Sequence, residues 1–141
     1  MENKEILPPL KGVNLELKKV NRFTVEFPED FGVKIWSVTS SDKPRFSDGE
    51  WENIKITFND FIEPSTSQAL FRVVNFLKTN KDVIKFEFKI NSLDPTGVVV
   101  EQWVIRVKNV LTINFGALDY KNDSFQELTL IVKPLDCILE F

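Results

Sequence analysis

The residue types that most often carry chemistry are scarce in this chain of 141 residues. Histidine does not occur, and cysteine occurs once, as Cys137. That removes the usual general base, the commonest metal ligand and the ordinary partner of a serine or cysteine nucleophile. Paired carboxylates could still act alone, and three pairs stand close in sequence: Glu29 with Asp30, Asp48 with Glu50, and Asp119 with Asp123. Each lies among turn residues such as Pro28, Gly32, Gly49 and Asn122, where a solvated carboxylate is the ordinary occupant. Ser47-Asp48-Gly49-Glu50 is too short for a calcium loop, which needs several oxygens at regular spacing. No glycine-rich phosphate loop is present. The residues therefore predict no catalytic centre, no metal site and no cofactor.

The totals narrow the class further. The length suits one domain over 1–141, and thirteen Phe with three Trp form a heavy aromatic load that must be packed. A net charge of −3 argues against a nucleic-acid binder, which shows a basic stripe. A lone cysteine allows no intramolecular disulfide and fits assembly in a reducing cytosol. The first residues, MENKEILPPLKG, lack the apolar region of a signal peptide, and no run approaches the roughly 20 apolar residues that cross a bilayer.

These constraints leave the elements to carry the argument. Residues 1–12 read as a flexible arm, with Pro8-Pro9 discouraging regular structure. Phe23, Val25 and Phe27 alternate on one face of a first strand that ends at Pro28, and residues 33–38 read as a second. Residues 39–50, TSSDKPRFSDGE, read as a long loop by composition. Trp51, Ile54, Ile56 and Phe58 mark the next strand. Ser65 and Gln68 then have the spacing of a capping box, and Ala69, Leu70, Val73, Val74 and Leu77 make one apolar stripe, so a helix is expected over 65–79, with Asn80 ending it.

Four strand candidates follow the helix. In DVIKFEFKI, Ile84, Phe86, Phe88 and Ile90 alternate with Lys85, Glu87 and Lys89. Asp94-Pro95-Thr96-Gly97 has a type I turn signature, and a three-residue loop with a bulge at Gly97 is the other possibility. Pairing Asp94 with Gly97 sets Phe88 against Trp103 and Phe86 against Ile105, burying all four together. The bulged register sets Phe86 against Arg106, so the first register is expected. The opposite face then carries Lys85, Glu87, Lys89, Gln102 and Arg106 among Val98, Val100 and Val104. Such a mixture suits a surface partly covered by another subunit. The remaining runs are NVLTINFGALDY and SFQELTLIVKPLDCILEF.

From Asn21 onward, the order IKITFND, helix, DPTGVVVEQWVIR and INFGALDYKNDSFQELTLIV resembles the tail tube proteins of contractile-tailed bacteriophages. NRFTVEF resembles that family's first strand. The resemblance implies a mainly β, sandwich- or barrel-like tail-tube fold with one flanking helix. It implies a non-enzymatic subunit that closes with five copies into a hexameric ring, rings stacking into a tube. DNA passes down the lumen at ejection without specific binding, and the tail sheath, baseplate and tail terminator are the other partners. The protein would be made and assembled in the host cytoplasm and end in the virion, with no membrane involved. Two surfaces follow as expectations. Lys85, Glu87, Lys89, Gln102 and Arg106 face a lumen or a subunit seam. In the loop 39–50, Phe46 anchors on the next ring with Lys43, Arg45, Asp48 and Glu50 as rim charges, the loop ordering only on stacking; alternatively Phe46 is incidental.

Related rings remain open: a tube-initiating baseplate protein, a tail terminator, or a subunit of a type VI secretion or extracellular contractile injection tube. A different class is a monomeric β-sandwich that binds glycan or lipid, with Trp36 or Trp51 as its platform.

Overall fold

The computed structural model describes residues 15–79 and 86–141. The alternating runs fold as β1 (Phe23–Glu26), β2 (Val38–Ser41), β3 (Phe46–Ser47), β4 (Glu50–Trp51), β5 (Ile54–Asn59), β6 (Glu87–Leu93), β7 (Val99–Asn114) and β8 (Glu127–Leu139), with the helix α1 (Thr66–Thr79) between β5 and β6. Among the described residues, β1, β6, β7, β8, β5 and β2 form one antiparallel sheet in that order. Its edge strands β1 and β2 approach each other, so the sheet curls into a nearly closed barrel. The fold is mainly β with one helix.

The inward face holds the core. Val25, Ile54, Ile56, Phe58, Phe88, Ile105, Leu128 and Val132 are each at most 1% exposed. The chain extends from β5 into the helix, which buries Ala69, Leu70 and Val73, with Leu70 joining the barrel core. Val74 and Leu77 of the same stripe are half-buried. Ser65 caps the helix, its Oγ accepting the Gln68 amide at 3.2 Å, while Asp60 accepts the Ser67 amide at 3.1 Å. Asn80, expected to end the helix, lies outside the described residues, as do the arm 1–12, Ile84 and Lys85.

Several expectations need correction. Phe88 pairs with Ile105 and Ile90 with Trp103, two residues from the expected register. The turn is the bulged alternative: the Asp94 amide donates to the Val98 carbonyl, and Gly97 takes φ 88°. A second irregularity, between Ser92 and Leu93, adds another residue, so the two offsets restore the original faces. Phe88 and Ile105 are buried as expected, whereas Phe86 and Trp103 are only partly buried against them. The run 33–38 is not a strand: Ile35–Ser37 form a 3-10 turn and β2 starts at Val38. VVVEQWVIRV and NVLTIN, read as separate strands, are one strand of 16 residues, bent by three register shifts against β8. These bulges keep both halves of β7 on the curving barrel.

The segment 39–50 is likewise no open loop. β2 occupies its start, and β3 and β4 form a small hairpin pairing Phe46 with Trp51 and Ser47 with Glu50. Asp48 and Gly49 take φ 54° and 78°, the two left-handed residues of a tight hairpin turn.

Candidate functional site

The hairpin residues of the sequence reading are brought together at one mouth of the barrel. Phe46 packs edge-on against Trp51 with ring centres 5.1 Å apart, and Trp51 against Trp103 at 6.1 Å. This aromatic series ties the hairpin to the barrel and leaves Phe46 61% exposed at its tip. Trp51 is partly covered between Phe46 and Trp103, whereas Trp36, edge-on to Phe61 at 4.7 Å, stays 55% exposed. The rim charges divide. Arg45 pairs with Glu52 at 3.2 Å, Lys43 pairs with Glu101, and Asp48 and Glu50 are exposed.

Glu101 was not singled out from sequence, yet it organises this mouth. Its carboxylate takes Lys18 at 2.8 Å as well as Lys43, and accepts the Trp103 indole at 3.2 Å. Burial alone would favour the neutral acid, but the hydrogen bonds and charges of Lys18 and Lys43 outweigh it and lower the pKa to about 2. A signal was present. Glu101 shares strand parity with Trp103 and Ile105, and a carboxylate on an apolar face demands a partner.

The outward face of β1, β6, β7 and β8 carries the second predicted set. Glu87 pairs with Arg106 at 3.2 Å, and Arg106 reaches Asp136 at 3.7 Å. Gln102 donates to Asn91 Oδ1 at 3.0 Å, and the Asn91 amide donates to Thr24 at 3.1 Å and Glu26 at 3.0 Å. Asn91 is 2% exposed, so its burial relies on these hydrogen bonds with Thr24, Glu26 and Gln102. Lys89 stands opposite both Glu26 and Val104. Among these described residues Glu26, Glu87 and Asp136 outnumber Lys89 and Arg106 by one, so the face is not basic.

The far end of β7 is different. The loop 115–126 joins β7 to β8, folding through a turn in which Asp119 accepts the Lys121 amide at 3.0 Å. It leaves Leu118, Tyr120 and Phe125 almost wholly in solvent. The sequence reading had used INFGALDY only as strand and motif. Large apolar residues crowded into a turn-rich segment were the available signal.

Among the described residues, no group of three His, Cys, Asp or Glu side chains could hold a metal, and no helix is long and apolar enough to cross a membrane. What the chain presents instead is a barrel with aromatic and charged ends. No family model and no curated protein matches it. Solved structures do. A structure of the sheath/tube terminator of the extracellular contractile injection system PVC, in its extended state, superposes with a TM-score of 0.65 at 15% identity, covering 92% of this chain and 100% of that one. The tube terminating cap of the anti-feeding prophage (AFP) gives 0.66 at 14% identity, over 92% and 95% of the two chains. The PVC sheath-tube complex in its extended state gives 0.62 at 14% identity, over 89% and 93%.

The chain shares their fold. The barrel and helix expected from the resemblance to tail tube proteins are therefore shared with a sheath/tube terminator, a tube terminating cap and a chain of a sheath-tube complex.

Proposed function

We propose that this protein is a structural, ring-forming subunit of the tube in a phage-like contractile particle. The observation that carries the reading is the superposition of nearly the whole chain on tube and tube-end structures at almost their full length. The chemistry supports it. The barrel's outward polar face mixes acidic and basic side chains, which suits a lumen or seam that must not hold a passing phosphate backbone. On this reading six copies close a ring, and sheath, baseplate and terminator are its neighbours in the particle; in a phage, the lumen conducts DNA. Lys89, Gln102, Arg106 and Glu87 line the lumen or seam, and the β3–β4 tip, with Phe46, Asp48 and Glu50, is a contact toward the next ring.

A second reading, that the protein terminates the tube, is favoured by the complete coverage of the PVC terminator chain. Negative-stain microscopy with sedimentation tests both. A tube subunit gives rings that lengthen with concentration, whereas a terminator gives isolated rings that stop the growth of tubes made by its partner subunit. A protein that stays monomeric up to millimolar concentration, and leaves tube growth unchanged, is neither.

A further inference from the structure

The two ends of the barrel carry opposite chemistry. β7 and β8 run antiparallel along the barrel, so the loop that joins them and the start of β7 lie at opposite ends. At the far end, Leu118, Tyr120 and Phe125 are 82%, 111% and 88% exposed, and Asp119 and Asp123 stand between them. Apolar side chains held together in solvent mark a surface that meets a partner. At the near end, the gap between edge strands β1 and β2 opens into a cleft of about 550 Å³. It is lined by Lys18, Lys19, Arg22 and Lys43 above an apolar floor of Phe23 and Ile90. Lys18 and Lys43 are committed to Glu101, whereas Lys19 and Arg22 make no ion pair among the described residues.

We propose that the loop 115–126 of one copy docks into the β1–β2 cleft of the next. Its apolar side chains cover the partly exposed Phe23, and Asp119 and Asp123 face Lys19 and Arg22. Donor and acceptor patches lie at opposite ends of one molecule, so the contact is head to tail and repeats. It rests on the ring-forming reading above and names the surfaces through which successive rings stack. Lys121 stands between the two aspartates, so the loop keeps one net negative charge against the basic cleft, and this difference of sign sets the direction of stacking.

Charge exchange tests it. Asp119→Lys with Asp123→Lys, and separately Lys19→Glu with Arg22→Glu, should each cut the sedimenting polymer fraction at least tenfold while leaving single rings. All four substitutions in one chain should restore stacking. Tyr120→Ala, at a site fully in solvent, should weaken stacking at an unchanged melting temperature. Higher salt should shorten wild-type stacks. Charge variants that stack as well as wild type, or a fourfold variant that stays unstacked, would overturn this contact while leaving the ring reading intact. A wild-type chain that forms no rings or polymers at any concentration, and no contact with a tube end, overturns both.

Discussion

Phe88 shows how much a single side chain contributes. It is 1% exposed, and Phe27 stacks on it at 5.2 Å between ring centres. Phe88→Ala should cost about 3–5 kcal/mol in urea unfolding; a loss below about 1 kcal/mol, the range of surface changes, would contradict its place in the core. Gly116 is constrained by its backbone. It takes φ 93°, and a Cβ there would sit 2.6 Å from the Glu127 carbonyl oxygen. Gly116→Ala should therefore destabilise by about 1–3 kcal/mol, combining left-handed strain with a backbone clash. Glu101 gives a pH signature. Its folded pKa is depressed from the ordinary 4.5 to about 2, so its contribution is fully present above about 4.5 and is lost as pH falls toward 2. The wild type should exceed Glu101→Gln by on the order of 2–3 kcal/mol at pH 6. Stability curves that converge between pH 4.5 and 2 are the expected result, and a pH-independent gap would exclude the ion pairs as its source. Cys137, with a thiol pushed up to about 11 by burial and then by the Asp136 charge, should be slow to alkylate in the native state.

At the scale of elements, the helix start and the small hairpin are the informative pieces. Asp60 loses some charge stabilisation to burial, but the Ser67 hydroxyl, the Ser67 and Thr66 amides and the Ser65 hydroxyl outweigh that and lower its pKa. It acts with Ser65 as the helix cap, so Asp60→Ala should cost about 1 kcal/mol, measured by thermal or urea unfolding. The β3–β4 hairpin is tied to the barrel by Trp51 on Trp103. Asp48-Gly49 between Phe46 and Trp51 was the legible sign of that hairpin, since the pair supplies both left-handed positions of a two-residue turn. Composition hid it, because polar residues around a short aromatic pair look like a loop.

For the whole molecule, charge placement matters more than the total of −3. Glu26 and Asp136 offset the basic residues of the outward face, which were legible from the β6–β7 hairpin alone as a basic excess. Assembled rings should therefore retain no duplex DNA at physiological salt. Co-sedimentation of DNA with the polymer would show that a basic surface lines the lumen after all. Exposed apolar residues gather in the loop 115–126, where Leu118, Tyr120 and Phe125 stand in solvent, and others, such as Phe71 and Phe76, lie along the helix.

Alternation alone determined which residues of each strand share a face, because a period of two is local: Phe88 goes with Ile90, and Trp103 with Ile105. The capping residues Ser65 and Gln68 likewise fixed the helix start through contacts within one turn. The absence of histidine left chemistry to carboxylates, and among the described residues no three of them group so as to hold a metal. Only the tertiary structure decided the register of β6 on β7, since two single-residue offsets cancel in face but not in partner. It alone joined 99–114 into one bent strand, because bulges depend on the neighbouring strand's curvature. And it alone brought Lys18, Lys43 and Glu101 together and placed Asp119 and Asp123 at the end opposite Lys19 and Arg22. Charges far apart in sequence acquire a pairing only when the chain closes the distance between them.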